Sequence, residues 1–455
     1  MTELPDRVVG DARTSDFGWT LLTDLTDIGN RMAGSTGERR GAERMVEAFE
    51  SAGLRNAGLD AFEIPGWWRG DSELVVSGPV ERRHGGSHET IALPGSPSGD
   101  VTAPIVDVGD GTEREFEAVG RRLDGAIAVA SSRTPDGHSR WIHRMEKYVN
   151  AAERGAIGFV FRNHLEGALP PTGEIGYHER PGPIPAVGVS KEVGERLVRL
   201  ATDADAGGGE RPEVTIDVDC RNEPTTSVNA VADVGPDTDE AVWLTAHVDA
   251  HDISDGANDN GAGSALVAEV GRLLCSVEDD LDTRVHLVAF GSEEIGLWGA
   301  SHAAETTPID EIDCVINLDG ACRSRNLRVG TNGFDRLRET FERVADEFAT
   351  PLVTGDTITP HGDQWAFVQE GVPAVMASTT SEQSGRGWGH THADTLDKLD
   401  PRDLREVATL VAATTFRLAS DGVEIPHRSR EAIRDAIDDG YVRELKTGGR
   451  WPYDE

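Results

Sequence analysis

Four short stretches place histidine or carboxylate beyond an apolar run. They are His247-Val-Asp249 after AVWLTA, Glu293-Glu294 after RVHLVAFGS, Asp319 after DCVINL, and His390-Thr-His392-Ala-Asp394, reached from PAVMAST through a glycine-rich loop, SGRGWG. A fifth stretch, GANDNGAG, holds Asp259 and Asn260 just before a helical pattern. Carboxylates are rarely buried unless paired or bound to metal, so acids abutting buried runs are candidates for chemistry. Each piece alone has an ordinary reading. An EE pair means little among 81 acids, Asp259 suits a helix N-cap, and His390 and His392 suit an exposed loop. Independent surface residues need not all fall at strand ends, and that convergence sets this group apart.

The donor types fit two divalent cations. Zinc accepts histidine nitrogen and carboxylate oxygen, and a catalytic site keeps one position open for water. Two ions about 3.5–4 Å apart can hold a bridging hydroxide and polarise a carbonyl. Such a pair needs one shared carboxylate, plus a histidine and a carboxylate for each ion. His247, Asp259, Glu294, Asp319 and His390 supply that set. Glu293 remains over, and a free carboxylate beside the bridging water is what a general base requires.

The elements that position these residues are legible. Residues 17–55 read as helical, with Gly53 as a C-cap. From about residue 68 short strands and turns dominate, including NAAERGAIGFVFRN and GPIPAVGVS, and 203–212 reads as a surface loop. After residue 222 strands alternate with helical patterns: SALVAEVGRLL, FDRLRETFERVADEF and DLREVATLVAATTFRLA. This predicts an α/β fold, a mixed and largely parallel sheet flanked by helices. Ligands of such sheets bind beyond the carboxyl ends of the strands, where the candidate residues stand. No repeat of 20–50 residues is evident.

The ordered motifs HVD, GANDNGAG, EEIGLWGA, NLD and HTHADT resemble the co-catalytic zinc exopeptidase family of metallopeptidase clan MH, the leucyl aminopeptidase and plasma glutamate carboxypeptidase group. The match spans about residues 226–400, and NRMAGSTGERRGAERM resembles the family's first helices. The resemblance implies two zinc ions, with His247 and Asp319 on one, Glu294 and His390 on the other, and Asp259 bridging. Glu293 would activate the bridging water and protonate the leaving amine, while Asp249 would orient His247. A cis peptide at Asp259–Asn260 is also implied. The family's HTxxDT pattern selects His390 over His392 as ligand, and Gly389 stands where several members carry a tyrosine that steadies the oxyanion.

The section 68–217 resembles a protease-associated domain through NAAERGAIGFVF and GPIPAVGVS. The expected division is therefore a discontinuous zinc peptidase domain (1–67 and 218–420), a β-rich protease-associated-like insert (68–217) and a C-terminal helical extension (421–455). The insert either shapes substrate access or serves as a lid without substrate contact.

Composition narrows the partners. The formal net charge of −37 disfavours nucleic acid and anionic membranes. Only four of the 44 basic residues are lysine, and the acids spread along the whole chain, which points to adaptation to high salt. Cys220, Cys275, Cys314 and Cys322 show no CxxC spacing or disulfide framework, and Cys275 and Cys314 read as core. No signal peptide or membrane-spanning run is visible, so a cytoplasmic location is expected. Oligomeric state is not readable.

The function expected is a di-zinc exopeptidase acting on peptides, foremost an aminopeptidase, since a free substrate amine would sit against the site's carboxylates. Trp365 and Trp388 are candidates for a side-chain pocket, and His392 for polarising the substrate. A carboxypeptidase or dipeptidase is the alternative, with Arg323 able to hold a substrate carboxylate. A non-catalytic receptor-like module on the same fold is a second alternative. It would be marked by lost ligands, whereas every ligand position is present here.

Overall fold

The computed structural model describes residues 3–78, 81–178, 180–207, 212–380, 387–420, 422 and 425–454, with residues 203–207 described in backbone only. Its strands join into one 14-stranded sheet. In the half that bears the candidate site, strands Ala241–His247, Arg284–Phe290, Ile312–Leu318 and Ala374–Thr379 lie parallel to one another. Every residue of Ala241–His247 is buried. Such unbroken apolar runs, not alternating ones, are what a parallel sheet covered on both faces requires. Strand Leu327–Gly330 and, at the edge, Leu352–Gly355 complete this side.

Helices Asp6–Thr14, Phe17–Thr26, Thr36–Ser51, Ala262–Cys275 and Pro401–Ser420 pack together, and three of them rest directly on the strands. Their buried positions form one cluster with the sheet, including Leu22, Phe49, Leu266, Val411 and Phe416. Truncating any such leucine to alanine costs about 2–5 kcal/mol. The segment 17–55 holds two helices, because residues 28–34 turn with Gly29, Asn30 and Gly34 at positive φ. Gly53 has φ +85°, the left-handed conformation expected after a helix end.

The insert hangs from a long hairpin. Strands Arg55–Val76 and Glu213–Val234, 22 residues each, pair antiparallel along almost their whole length. Gly99–Asp107 pairs with the second of them and leads into a parallel set with Ile127–Ser131, Gly158–Arg162 and Ala186–Val189. Helix Lys191–Gly207 takes in the first half of the stretch expected as a loop at 203–212, and residues 208–211 of it lie outside the described residues. Residues 384–386 of the glycine-rich SGRGWG loop also lie outside them.

The C-terminal extension holds two short helices, Arg430–Arg434 and Asp439–Thr447. It joins the insert to the sheet-bearing half. Glu444 takes Arg140 of the insert at 2.8 Å and His361 at 3.1 Å. The four cysteines are free; Cys314 and Cys322 are buried, whereas Cys275 is only half-buried and packs at the edge of the core. Among the described residues no helix is long and apolar enough to cross a membrane.

Candidate metal centre and active site

Because the four strands are parallel, their carboxyl ends open on one side, and the predicted donors meet there. His247 ends its strand; Glu293 and Glu294 follow Phe290 by a turn with Ser292 at φ +59°; Asp319 follows Leu318. Two donor groups form, one of His247, Glu293 and Asp319, the other of His251, Glu294 and His390. Asp259 stands between them. Its Oδ1 lies 3.3 Å from Nε2 of His247 and its Oδ2 lies 3.2 Å from Nε2 of His390. Nε2 of His390 is also 3.3 Å from Oε2 of Glu294, and Nε2 of His247 is 3.9 Å from Asp319 and 4.0 Å from Glu293. The Asp259–Asn260 peptide is cis, as the family resemblance implied.

Side chains behind the donors fix their positions. Both carboxylate oxygens of Asp249 accept backbone N–H groups, from Glu293 at 3.1 Å and Glu294 at 3.2 Å. The same carboxylate lies 3.4 Å from Nδ1 of His247. Asp394 does the equivalent for the bridging residue, accepting from the N–H of Asn258 and of Asp259 at 3.0 Å each. Glu38 is buried at the first turn of its helix, where it closes a cap by accepting from Gly34 N. Its other oxygen accepts from Ser227 Oγ and Ser292 N, tying that helix to the turn before Glu293. His390 is held from the insert. Thr172 N donates to the His390 carbonyl at 2.8 Å, and Nδ1 of His390 is 3.3 Å from the Thr172 carbonyl.

The electrostatics ask for positive charge. Burial works against protonation of His247, but Glu293, Asp249 and Asp259 outweigh it and hold its pKa well above the usual value. Burial pushes Glu293 up to about 7, with Asp319 and Asp259 adding to the shift against the pull of His247. Burial, then Asp259 and Glu293, hold Glu294 well above the usual carboxylate range. Nε2 of His247, Nε2 of His251 and Oε2 of Glu294 are buried without a hydrogen bond among the described residues. Two atoms bound to one zinc are about 3.4 Å apart at a tetrahedral angle and about 2.9 Å apart at a right angle. The donor spacings of 2.9–3.3 Å about Asp259, His390, His251 and Glu294 match, so nitrogen and oxygen donors together fit divalent ions.

A cavity of about 680 Å³ opens on this centre, in the size range of ligand pockets. Asp259, Asp319, Arg323, Gln364 and Gly389 line it, and Trp141 reaches in from the insert. Trp141 and Arg144 of the insert also line the adjoining cavity beside His390. Of the residues expected at the substrate, only Arg323 lines the cleft, with its guanidinium stacked 4.9 Å from the Trp388 ring. Trp388 faces a side cavity with His164 and Lys191. Trp365 is buried and lines a separate cavity with Phe62 and Trp298. His392 packs against His88 of the insert at 4.1 Å.

Four contributors went unread in the sequence. His251 follows Asp249 by two residues, so the alternation His-x-Asp-x-His was a visible signal. The Ser35-x-x-Glu38 pattern announced a capped helix, but its reach to Ser292 was not local. Asp363 is fully buried, with neither carboxylate oxygen hydrogen-bonded among the described residues. Burial and the nearby Glu293 charge keep its pKa well above the usual value. Thr172 gave no signal, since it acts through its backbone.

Fold and site together define a peptidase of the two-donor-group kind, and comparison with known proteins agrees. The profile of peptidase family M28 matches residues 229–415, and that of the PA domain matches residues 101–197. The chain is therefore similar to peptidase family M28, with a PA domain inserted ahead of the matched region. It is 25% identical over 413 residues to aminopeptidase YwaD of Bacillus subtilis, covering 88% of this chain and 83% of that one. It is 26% identical over 416 residues to carboxypeptidase Q of Bos taurus, covering 88% and 84%. Its fold is similar to that of BSAP, a zinc aminopeptidase from Bacillus subtilis, with TM-score 0.70 and 24% identity over 94% of this chain and 99% of that one.

Proposed function

We propose that the chain is a two-zinc exopeptidase that removes residues from the N-terminus of peptides. The observation that carries this reading is Asp259, which turns one carboxylate oxygen to His247 and the other to His390. In this reading His247 and Asp319 hold one ion, Glu294 and His390 the other, and Asp259 both. Bound there, the ions would supply Lewis acidity, polarising the scissile carbonyl and acidifying water. YwaD and BSAP, an aminopeptidase and a zinc aminopeptidase, support zinc and the N-terminal direction.

Glu293 acts as the general base. With Asp259 and Asp319 completing the ligands beside His247 in this reading, the Glu293 carboxylate, 4.0 Å from Nε2 of His247, is left for the water. Asp249 fixes it by accepting the N–H of Glu293. Glu293 takes the proton of the attacking water and passes it to the leaving amine. In this reading a free substrate amine sits against the site's carboxylates. Glu293→Gln should leave two ions bound per chain and lower kcat about 10²–10⁴-fold. Near-normal turnover would remove Glu293 from this role.

A second reading has one observation in its favour. Arg323 lines the cleft beside Asp259 and Asp319, where it can take a substrate carboxylate, and carboxypeptidase Q is among the relatives. Aminoacyl-nitroanilides and N-blocked peptides, offered side by side in molar KCl, separate the two. Cleavage of the blocked set alone would reverse the N-terminal assignment.

The high-salt setting is part of the proposal, supported by a net charge of −37 with four lysines. So is the division into a peptidase unit (1–67 and 218–420), an insert (68–217) and an extension (421–455), supported by the hairpin from which the insert hangs.

A further inference from the structure

We infer that His251 is a metal ligand, so that the two sites are unequal: one histidine at the first, two at the second. The inference rests on the two-ion reading above and deepens it. His251 is 2% exposed, and its ring meets that of His390 edge-on, centroids 4.5 Å apart. Its Nε2 lies 2.9 Å from Oε2 of Glu294. Neither of those atoms, nor Nδ1 of His251, makes a hydrogen bond among the described residues. A buried polar atom without a partner needs an explanation, and an ion is one. Two atoms at close range that share no hydrogen bond, with His390 Nε2 at 3.3 Å from the same Glu294 oxygen, converge as ligands of one ion do.

Assigning His251 changes what each site can do. His251, His390, Glu294 and the shared Asp259 make four protein ligands, the number that closes a tetrahedral zinc site. His247, Asp319 and Asp259 make three, the number that keeps a position open. Glu293 stands on the open side, grouped with His247 and Asp319. The second site then serves as the tight anchor and the first as the place of reaction. Imidazole donors favour zinc, cobalt, nickel and copper over magnesium and manganese, so the second site also fills first and most selectively.

X-ray absorption on the full chain loaded with two equivalents of zinc counts the imidazoles without reference to turnover. Three histidines on two ions give about 1.5 imidazoles per ion, and two histidines give about one. His251→Ala and His251→Gln should lower the count to about one and weaken the tighter zinc site by 100-fold or more in chelator competition. Two bound ions with one imidazole each in the wild type would overturn the assignment while leaving the two-ion reading in place, and would make His251 a neighbour of Glu294 only. Fewer than two bound ions in the wild type would instead sink the two-ion reading, and this inference with it. The wild-type count decides the question even if the variants fail to fold.

Discussion

Thr172 of the inserted domain and His390 of the candidate metal centre are locked backbone to backbone and backbone to ring, 218 positions apart in the chain. The insert therefore does more than overhang the cleft. It holds the ring nitrogen of His390 that faces away from Asp259, and partners of that kind set the orientation of a ligand histidine. Arg69 extends the link, reaching both Thr172 Oγ1 and the Asp252 carboxylate beside His251.

Thr172→Pro tests that link, because proline deletes the N–H that serves the His390 carbonyl and keeps the Thr172 carbonyl. Activity should fall roughly 10-fold or more, while stability falls by about 1 kcal/mol. If turnover and zinc affinity both stay at wild-type values, the Thr172 N–H does not position His390.

Asp394 is expected to act on the bridging residue without touching substrate. Asparagine offers one acceptor where the two amides of Asn258 and Asp259 need two, and turns an NH₂ against one of them. Asp394→Asn should weaken metal binding about 10–100-fold, read by chelator competition. Unchanged affinity would show that the amides hold the loop unaided.

Lys147 gives a pH signature that belongs to the insert. Its ammonium donates to the carbonyls of Ser131 and Arg133 at 2.7 Å, and burial lowers its pKa to about 8. Unfolded lysine keeps its proton to about pH 10.4, so between the two values the unfolded chain binds more protons and stability rises with pH. Relative to Lys147→Met, the wild type should gain about 2–3 kcal/mol from pH 8 to pH 10.5 in denaturant titrations. Parallel profiles for the two proteins would contradict the shift.

Salt should stabilise the whole chain. With 81 acids against 44 basic residues, self-repulsion opposes folding, and it is screened within about 3 Å at 1 M salt. Thermal midpoints should climb as KCl goes from 0.1 M to molar concentration and the screening length shrinks from about 10 Å to about 3 Å. A midpoint that falls over that range would end the high-salt reading.

The parallel strands and their order along the chain could be read from the sequence because burial leaves a local record. An apolar run such as RVHLVAF needs cover on both faces, and the acid that follows it lies at the strand's end in any sheet of this class. The PA insert and the family also showed through, from motifs such as NAAERGAIGFVF and HTHADT. Aromatic type said less. Trp365 has the composition of a pocket residue, yet its helix turns it into the core and toward another cavity.

What the sequence determined by itself was six of the seven donors, His247, Asp259, Glu293, Glu294, Asp319 and His390, with the family resemblance implying how the ligands among them divide. Only the tertiary structure brought in the seventh, His251, and set the side chains in two groups. Adjacent side chains leave the backbone in different directions, so Glu293 goes with His247 and Asp319, while Glu294 goes with His251 and His390. The supports are equally non-local. Asp394 grips amides 135 and 136 positions away, and the Arg31 guanidinium spans the carbonyls of Leu25, Val248, Asp255 and Gly256. Such contacts depend on which strands lie side by side, and hydrophobic periodicity, which reports the burial of one segment at a time, carries no record of that.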